Sequence, residues 1–281
     1  MIPARFDYDV AESVDHAIEL LGEGGEDTKL LAGGQSLIPA LRLRLARPAR
    51  LVDLGRLADL AYVRDDGTHV AVGAMTPHAT VAGDPVLAEH CPIVSHSAAQ
   101  MGDPQVRHRG TLGGTLSHGD PASDMPAVML AIDAELVARG KDGERMIPAA
   151  EFFKGVFETA LAPDEVLVEA RVPKLAPSAG WSYLKASRRA QDWATVGVAA
   201  LVHRDDGTIG GASIALVNMG GTPLRARAAE DALAGGASIS EAAELVTDGT
   251  EPPSDQAASS EYRAHLARVI ARRALEEATA D

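Results

Sequence analysis

The sequence is poor in cysteine, in aromatic residues and in positive charge. Cys91 is the one cysteine among 281 residues, which excludes an internal disulfide and leaves no set of thiolates for a zinc cage or an iron–sulfur cluster. Aromatic residues make up 4% of the chain, and 26 Lys and Arg stand against 40 Asp and Glu, a formal net charge of −14. Binding to nucleic acid or to an anionic membrane surface is therefore not expected.

Long apolar runs are missing as well. The residues after Met1 form no apolar signal segment, and the longest apolar run, near Val196–Val202, is far shorter than a membrane span. We therefore expect a cytoplasmic protein without membrane insertion. Hydrophobic residues still make up 46% of the chain, enough for a folded core, and the length favours two domains.

The apolar pattern predicts an α+β protein divided at a proline-rich linker, Pro173–Gly180. Before the linker, a buried strand over Thr28–Ala32 leads into a glycine turn and a connecting segment, Leu41–Leu45, in which Leu alternates with Arg. After the linker we expect a sheet followed by helices: strands over Trp181–Ala186, Ala194–His203 and Ser213–Asn218, a hairpin turn at Asp205-Asp206-Gly207, and helices over Ala226–Leu233, Ser238–Val246 and Ser260–Ala278.

The first glycine segment, Leu30–Leu37, follows the predicted strand directly. Gly33 and Gly34 permit positive φ and close approach of the backbone to a ligand. Successive N–H groups in such a turn form an anion-binding nest suited to phosphate, to which Ser36 adds a hydroxyl. An ordinary strand–turn connection explains this segment equally well.

The second glycine segment, Arg109–Asp124, also carries a Gly-Gly pair flanked by hydroxyl residues. We expect it to precede a helix whose N-terminus favours an anion. Two segments of this kind, each suited to phosphate, indicate a ligand with two phosphates held from two sides.

Titratable residues near the second segment each allow two interpretations. Asp124 either accepts hydrogen bonds from a hydroxylated ligand or caps a helix. His108 and His118 either touch a ligand or only hydrogen-bond the loop. The other histidines are interpreted as surface or core singletons: His16, His69, His78, His90, His96, His203 and His265.

Lys185 lies inside the apolar strand Trp181–Ala186. On an interior face it needs an anionic or carbonyl partner, whereas on the surface its stem would only cover apolar neighbours. The chain has neither a G-x-G-x-x-G nor a P-loop pattern, and it lacks G-x-S-x-G and H-E-x-x-H. We therefore predict no catalytic acid, base or nucleophile and no metal site.

Together these segments resemble the FAD-binding medium subunits of the molybdenum hydroxylases, a family that includes aerobic carbon monoxide dehydrogenase and, as a domain, xanthine dehydrogenase. The matching stretches, in family order and spacing, are Ala32–Leu37, Gly102–Arg107, Arg109–Gly114, Asp120–Asp124 and Lys185–Arg189.

The resemblance implies a two-subdomain FAD-binding domain of the PCMH type over residues 1–173, with subdomains over about 1–58 and 59–173. A C-terminal domain like that of the carbon monoxide dehydrogenase flavoprotein would follow over 178–281, with a three-stranded antiparallel sheet and helices.

The resemblance also implies FAD as the cofactor, its pyrophosphate clamped between Ala32–Ser36 and Thr111–Thr115. Asp124 would bind the adenosine side or nearby backbone, and Trp193 is a further candidate neighbour of the ring. Leu167, Lys185 and Met101 match family positions beside the flavin. The full set of expected cofactor contacts is Leu31, Ala32, Gly33, Gly34, Gln35, Ser36, Leu37, Met101, Thr111, Gly113, Gly114, Thr115, His118, Asp124, Leu167 and Lys185.

Two positions depart from the family pattern. Thr115 stands where the xanthine dehydrogenase branch often has asparagine, which leaves its backbone N–H as the expected donor. Met101 stands where some relatives place an aromatic ring, and its thioether can pack on the flavin but cannot stack.

The function implied is electron transfer. A large subunit with a molybdenum cofactor would oxidise the organic substrate, and a small subunit with [2Fe–2S] clusters would relay electrons to FAD on this chain. FAD would then reduce an external acceptor that the sequence does not identify. Two alternatives stay open: a stand-alone FAD-dependent dehydrogenase or oxidase, and a non-catalytic partner protein whose glycine segments are ordinary turns.

Overall fold

A computed structural model describes residues 2–205 and 208–280 of the chain. The strands are β1 (Asp7–Val10), β2 (Thr28–Leu31), β3 (Arg50–Asp53), β4 (Val63–Asp65), β5 (His69–Gly73), β6 (Glu135–Gly140), β7 (Gly143–Pro148), β8 (Phe153–Gly155), β9 (Glu158–Thr159), β10 (Val166–Pro173), β11 (Ala179–Ala186), β12 (Val196–Asp205), β13 (Thr208–Val217) and β14 (Leu224–Arg225).

The α-helices are α1 (Val14–Gly24), α2 (Leu37–Leu43), α3 (His78–Gly83), α4 (Pro85–His90), α5 (Pro92–Ala99), α6 (Pro104–Arg109), α7 (Leu112–His118), α8 (Asp124–Ala131), α9 (Ala149–Phe152), α10 (Arg227–Ala234), α11 (Ile239–Glu244) and α12 (Ser260–Thr279). Single 3-10 turns lie at Gly25–Asp27, Ala58–Leu60 and Leu245–Thr247.

The first unit is a small parallel sheet in the order β1-β3-β2. Helix α1 covers it because its apolar residues recur at helical spacing, with Val14, Ile18 and Leu21 buried. Ser13 caps this helix by accepting a hydrogen bond from the N–H of His16 at 3.0 Å. The first glycine segment leaves the carboxyl end of β2 and enters α2.

The second unit is an antiparallel sheet in the order β4-β5-β10-β6-β7. Its β4–β5 hairpin turns at the predicted Asp66-Gly67, where Gly67 has positive φ. Helix α7 packs against β10 and against α8, so the second glycine segment lies over this sheet.

The C-terminal sheet has the order β11-β12-β13-β14 and is antiparallel throughout. Successive residues of β12 alternate between two cores, with Val198 facing the C-terminal helices and Ala199 facing the N-terminal domain. The same alternation places Leu184 of β11 toward the helices and Tyr183 toward the N-terminal domain. Lys185, two residues after Tyr183, shares its face.

The expected α+β class and the C-terminal sheet with helices are confirmed, and the two-residue strand β14 extends the predicted three strands. The hairpin turn expected at Asp205-Asp206-Gly207 includes two residues, 206 and 207, that lie outside the described part of the chain. The connecting segment at Leu41–Leu45 begins inside helix α2. The second glycine segment precedes helix α8, as expected, and it also contains helix α7, which the sequence did not predict.

Candidate functional site

The two glycine segments lie against each other. A β-carbon on Gly33 would lie 2.1 Å from the carbonyl oxygen of Arg109 and 2.7 Å from the Cα atom of Gly110. One on Gly114 would lie 3.3 Å from the β-carbon of Ala32. The structure therefore brings together the two segments that the sequence singled out, and glycine is needed because the backbones touch.

The first segment presents backbone donors. Gly34 has a φ of 74°, and its carbonyl accepts from the N–H of Ile38 at 3.0 Å, which starts α2. In the described part of the chain, no protein group accepts from the N–H groups of Gly33–Ser36. The Ser36 side chain is half-buried beside them. Four successive N–H groups without a protein acceptor are the donors that the predicted anion-binding nest requires, and the nest itself stays a prediction.

The second segment differs, because its backbone donors are used within the fold. Thr111 caps α7, its hydroxyl accepting from the N–H of Gly114 at 3.1 Å and its carbonyl from that of Thr115 at 3.0 Å. The N–H groups of Leu112 and Gly113 donate to the carbonyls of residues 76 and 74. The backbone N–H groups of residues 112–115 are thus bonded within the fold, so the N–H of Thr115 is not the free donor that the sequence suggested.

Thr115 has a buried partner. Its Oγ1 lies 2.8 Å from Nε2 of His78, whose side chain is almost wholly inaccessible. The backbone N–H of His78 donates to the carbonyl of Gly110 at 2.9 Å. Both ends of His78 therefore hold the second glycine segment. Burial lowers the pKa of His78 to about 4, so the ring is neutral at physiological pH.

A second cluster joins the two domains. Nζ of Lys185 lies 2.8 Å from Oδ2 of Asp124 and donates to the carbonyl of Gln100 at 2.9 Å. The hydroxyl of Tyr183 donates to the other carboxylate oxygen of Asp124. The side chains of Lys185 and Asp124 are 6% and 7% exposed. Lys185 thus has both kinds of partner, anion and carbonyl, that an interior position requires, and the surface alternative was wrong.

Both carboxylate oxygens of Asp124 have a protein partner. Burial raises its pKa, an effect that the charge of Lys185 opposes. Burial also raises the pKa of Tyr183, which keeps that phenol as a donor. Asp124 does not cap α8, because Ser123 occupies the N-cap and Asp124 is the first helical residue. Its carboxylate therefore orients Lys185 and Tyr183.

The remaining expected contacts lie on several different elements. Met101 is buried next to Gln100, the acceptor of Lys185, and Leu167 is buried in β10 at a bulge. The N–H of Gly113 donates to the carbonyl of Ala74, and that of Ala74 to the carbonyl of residue 168, so Ala74 links β10 to the second segment. The ring of His118 packs on Phe157 with centroids 4.9 Å apart. Trp193 is 54% exposed.

Sequence reasoning missed three contributors to these clusters. His78 was interpreted as a singleton, because its partner lies 37 positions later and no local pattern joins them. Tyr183 and the carbonyl of Gln100 likewise meet their partners, Asp124 and Lys185, only in the folded chain. The two-residue spacing of Tyr183 and Lys185 on one strand was the only available signal, since it places both on one face.

Two sequence profiles cover the chain. One, described as the FAD-binding domain in molybdopterin dehydrogenase, matches residues 4–175, and the other, the carbon monoxide dehydrogenase flavoprotein C-terminal domain, matches residues 181–278. The chain belongs to the family of FAD-binding medium subunits of molybdenum-containing dehydrogenases. This confirms the resemblance, the fold class and FAD as the cofactor. The exact domain boundaries stay a prediction.

Similar proteins span the whole chain. The carbon monoxide dehydrogenase medium chain of Hydrogenophaga pseudoflava is 40% identical, covering 100% of this chain and 99% of the relative. The 6-hydroxypseudooxynicotine dehydrogenase complex subunit alpha of Paenarthrobacter nicotinovorans is 39% identical over 99% and 96%. A solved structure of carbon monoxide dehydrogenase from Hydrogenophaga pseudoflava matches with a TM-score of 0.96 and 42% identity, over 99% and 98%. The relatives are dehydrogenase subunits, which confirms the oxidoreductase class.

The residues present fit FAD. Its pyrophosphate is anionic, and the free N–H groups of the first segment and the hydroxyl of Thr115 are donors of the kind that bind such groups. Among the described residues, no group of three or more His, Cys, Asp or Glu side chains is placed to hold a metal ion. None of the described helices is long and apolar enough to cross a membrane.

Proposed function

We propose that this chain is the FAD-binding electron-transfer subunit of a cytoplasmic molybdenum hydroxylase complex. It takes electrons from [2Fe–2S] clusters of a small partner subunit and passes them to an external acceptor. A large partner subunit carries the molybdenum cofactor and oxidises the organic substrate. The observation that carries the proposal is the contact between the two glycine segments, within a chain that matches medium subunits from end to end.

The chain's own residues bind and orient the cofactor. The first glycine segment holds the pyrophosphate with the N–H groups of Gly33–Ser36, and Thr111–Thr115 lies opposite. Met101, Leu167 and Lys185 lie beside the isoalloxazine, with Asp124 positioning Lys185. The other expected contacts complete the same site: Leu31, Leu37 and His118. FAD, when bound, supplies the redox chemistry.

Lys185 acts on this site through its charge. Its ammonium is buried, held by Asp124 and Gln100, and therefore fixed in a medium that screens charge poorly. A fixed positive charge beside the ring favours the form that carries more electrons. Lys185 thus raises the reduction potential of the flavin.

The Lys185→Ala variant should therefore have a lower flavin reduction potential than the wild type. The matched control is Lys174→Ala, which removes a lysine paired at 2.7 Å with Asp65 outside the site. Spectroelectrochemical titration of both variants measures the effect. A potential that is unchanged in Lys185→Ala, or lowered equally in Lys174→Ala, would contradict the role given to Lys185.

The visible absorption spectrum of the purified chain tests the proposed function, with chromatography of the molecule that heat releases. We expect a flavin spectrum, release of FAD at about one per chain, and co-purification of a molybdenum subunit and an iron–sulfur subunit. A protein that contains FAD and turns over a small molecule without partners would be a stand-alone enzyme. A colourless protein that takes up no added FAD, alone or with partners, would overturn the proposal.

A further inference from the structure

His78 is placed to control the hydroxyl of Thr115, which stands where the xanthine dehydrogenase branch often has asparagine. The imidazole is 1% exposed, and its Nε2 lies 2.8 Å from Oγ1 of Thr115. A β-carbon on Gly110 would lie 3.2 Å from Cδ2 of His78 and 3.6 Å from Cγ of Gln35. The Nε2 edge of the ring therefore lies where the two glycine segments meet.

The buried surroundings fix which ring nitrogen carries the proton. A neutral imidazole has one N–H group, and Nδ1 of His78 is buried without a partner among the described residues. A proton on Nδ1 would be a buried donor with no acceptor, whereas a proton on Nε2 leaves only a lone pair unsatisfied. Buried donors without acceptors are the rarer case. The Nε2–H group therefore donates to Oγ1 of Thr115.

The hydroxyl proton of Thr115 is then free for another acceptor. Since the imidazole already donates to its oxygen, this hydroxyl cannot donate back to Nε2. The nearby backbone donors of α7 are used within the fold, so a ligand that reaches this segment finds a hydroxyl. A phosphate oxygen is an acceptor of the matching kind.

We propose that His78 is a positioning residue that keeps the Thr115 hydroxyl proton directed away from the ring and available to the FAD pyrophosphate. The proposal rests on the proposed function for the identity of the ligand. A purely structural histidine would also be buried, but its removal would not distinguish ligands with a pyrophosphate from ligands without one.

The tautomer of His78 can be measured without any ligand. The imidazole nitrogen resonances of the full chain, labelled with ¹⁵N-histidine, show which nitrogen carries hydrogen, and the His78→Gln variant identifies the signals of His78 among the 9 histidines. We expect a neutral ring protonated at Nε2. Protonation at Nδ1 would make Thr115 the donor to the ring and would overturn the proposal.

The second measurement compares the dissociation constants of FAD and of riboflavin, which lacks the pyrophosphate. The chain is used with its partner subunits where they co-purify. Thr115→Val should raise the dissociation constant of FAD about tenfold, which corresponds to the loss of roughly one hydrogen bond. It should leave the dissociation constant of riboflavin unchanged. His78→Ala should raise the dissociation constant of FAD by a similar factor. In the Thr115→Val background, the same substitution should cause no further increase. His78→Gln, whose amide can still donate to Thr115, should restore binding.

The outcomes separate the two proposals. The role of His78 is structural only if His78→Ala weakens the binding of FAD and of riboflavin equally. The same conclusion follows if His78→Ala weakens FAD binding to the same degree in the wild-type and the Thr115→Val backgrounds. A wild-type protein that takes up no FAD overturns the proposed function and the ligand assigned to Thr115, whatever the tautomer. FAD uptake together with a proton on Nδ1 overturns the positioning role alone.

Discussion

At the scale of single residues, Asp124 and Lys185 form an ion pair whose two side chains are both buried. A charge that loses its partner in a protein interior typically costs 3–5 kcal/mol, whereas replacing both ions by apolar groups is far less costly. Removing either ion alone therefore destabilises the fold, because the other is left as an unpaired buried charge.

We predict strong non-additivity for this pair. Asp124→Leu should lower the free energy of unfolding by about 3 kcal/mol, because it leaves the buried Lys185 ammonium without its counter-ion. The double variant Asp124→Leu/Lys185→Met should be more stable than Asp124→Leu alone. Urea unfolding of the four members of the cycle measures this. The control is Lys174→Met, whose more exposed pair with Asp65 should cost at most about 1 kcal/mol. Additive losses at positions 124 and 185 would show that the two ions act independently.

His78 gives a pH-dependent prediction. Its folded pKa is lowered to about 4 by burial, while an unfolded histidine titrates near about 6.5. Between these values the unfolded chain binds the extra proton, so stability falls as the pH falls. We expect the wild type to lose about 2 kcal/mol more than His78→Gln between about pH 7.5 and about pH 5. Urea unfolding at the two pH values measures this difference, and equal losses would mean that the folded ring binds a proton as readily as the unfolded one.

At the scale of elements, the close contact of the two glycine segments is the feature that positions the site. A β-carbon at Gly33 would lie 2.1 Å from a backbone oxygen, which cannot move without shifting α6 and α7. The sequence had suggested glycine here for ligand approach. The structure shows that glycine is needed at position 33 because its backbone packs directly on the backbone of Arg109 and Gly110.

We therefore predict that Gly33→Ala destabilises the chain and weakens FAD binding together. The matched control is Gly22→Ala in helix α1, where a β-carbon has nothing within 4 Å. This control should raise the free energy of unfolding by up to about 1 kcal/mol, because alanine favours helix more than glycine does. Urea unfolding and FAD titration of both variants provide the measurement. Gly33→Ala with unchanged stability and unchanged affinity would show that the segments can separate freely.

Local sequence signals predicted most elements but not helix α7. Ser13 as an N-cap and the capping box of Ser238 and Glu241 are chemical signals that act over three residues, and both are present in the structure. Helix α7 has the cap Thr111, but Gly113 and Gly114 follow it, and glycine opposes helix. The reason for Gly113 is tertiary: a β-carbon there would lie 2.4 Å from that of Ala74. The sequence alone contains no sign of that contact.

The same limit applied to the candidate site. An interior strand position predicted the chemical type of the partners of Lys185, but Asp124 lies 61 positions away and only the fold identifies it. The glycine segments were found because each is contiguous. The role of His78 was not predicted, because a single histidine at the start of a helix has no local pattern that connects it to Thr115.

At the scale of the whole molecule, the described part of the C-terminal sheet packs against other elements on both of its faces. One side of β12 packs on the C-terminal helices and the other on the core of the N-terminal domain. The buried pair of Lys185 and Asp124 crosses the same boundary. A sheet covered on both faces depends on both of its neighbours for its apolar burial. The two domains should therefore unfold together.

The position of the tryptophans makes this testable. Trp181 and Trp193 are the 2 tryptophans of the chain, both lie in the C-terminal domain, and Trp181 packs against the shared core. Tryptophan fluorescence reports that domain, whereas far-ultraviolet circular dichroism reports all the helices and strands. We expect one urea transition with the same midpoint by both probes. The Trp193→Phe variant, which leaves only Trp181 at the boundary, should give the same midpoint. A fluorescence transition that precedes the dichroism transition would show that the C-terminal domain separates first, and that the shared core does not couple the two domains.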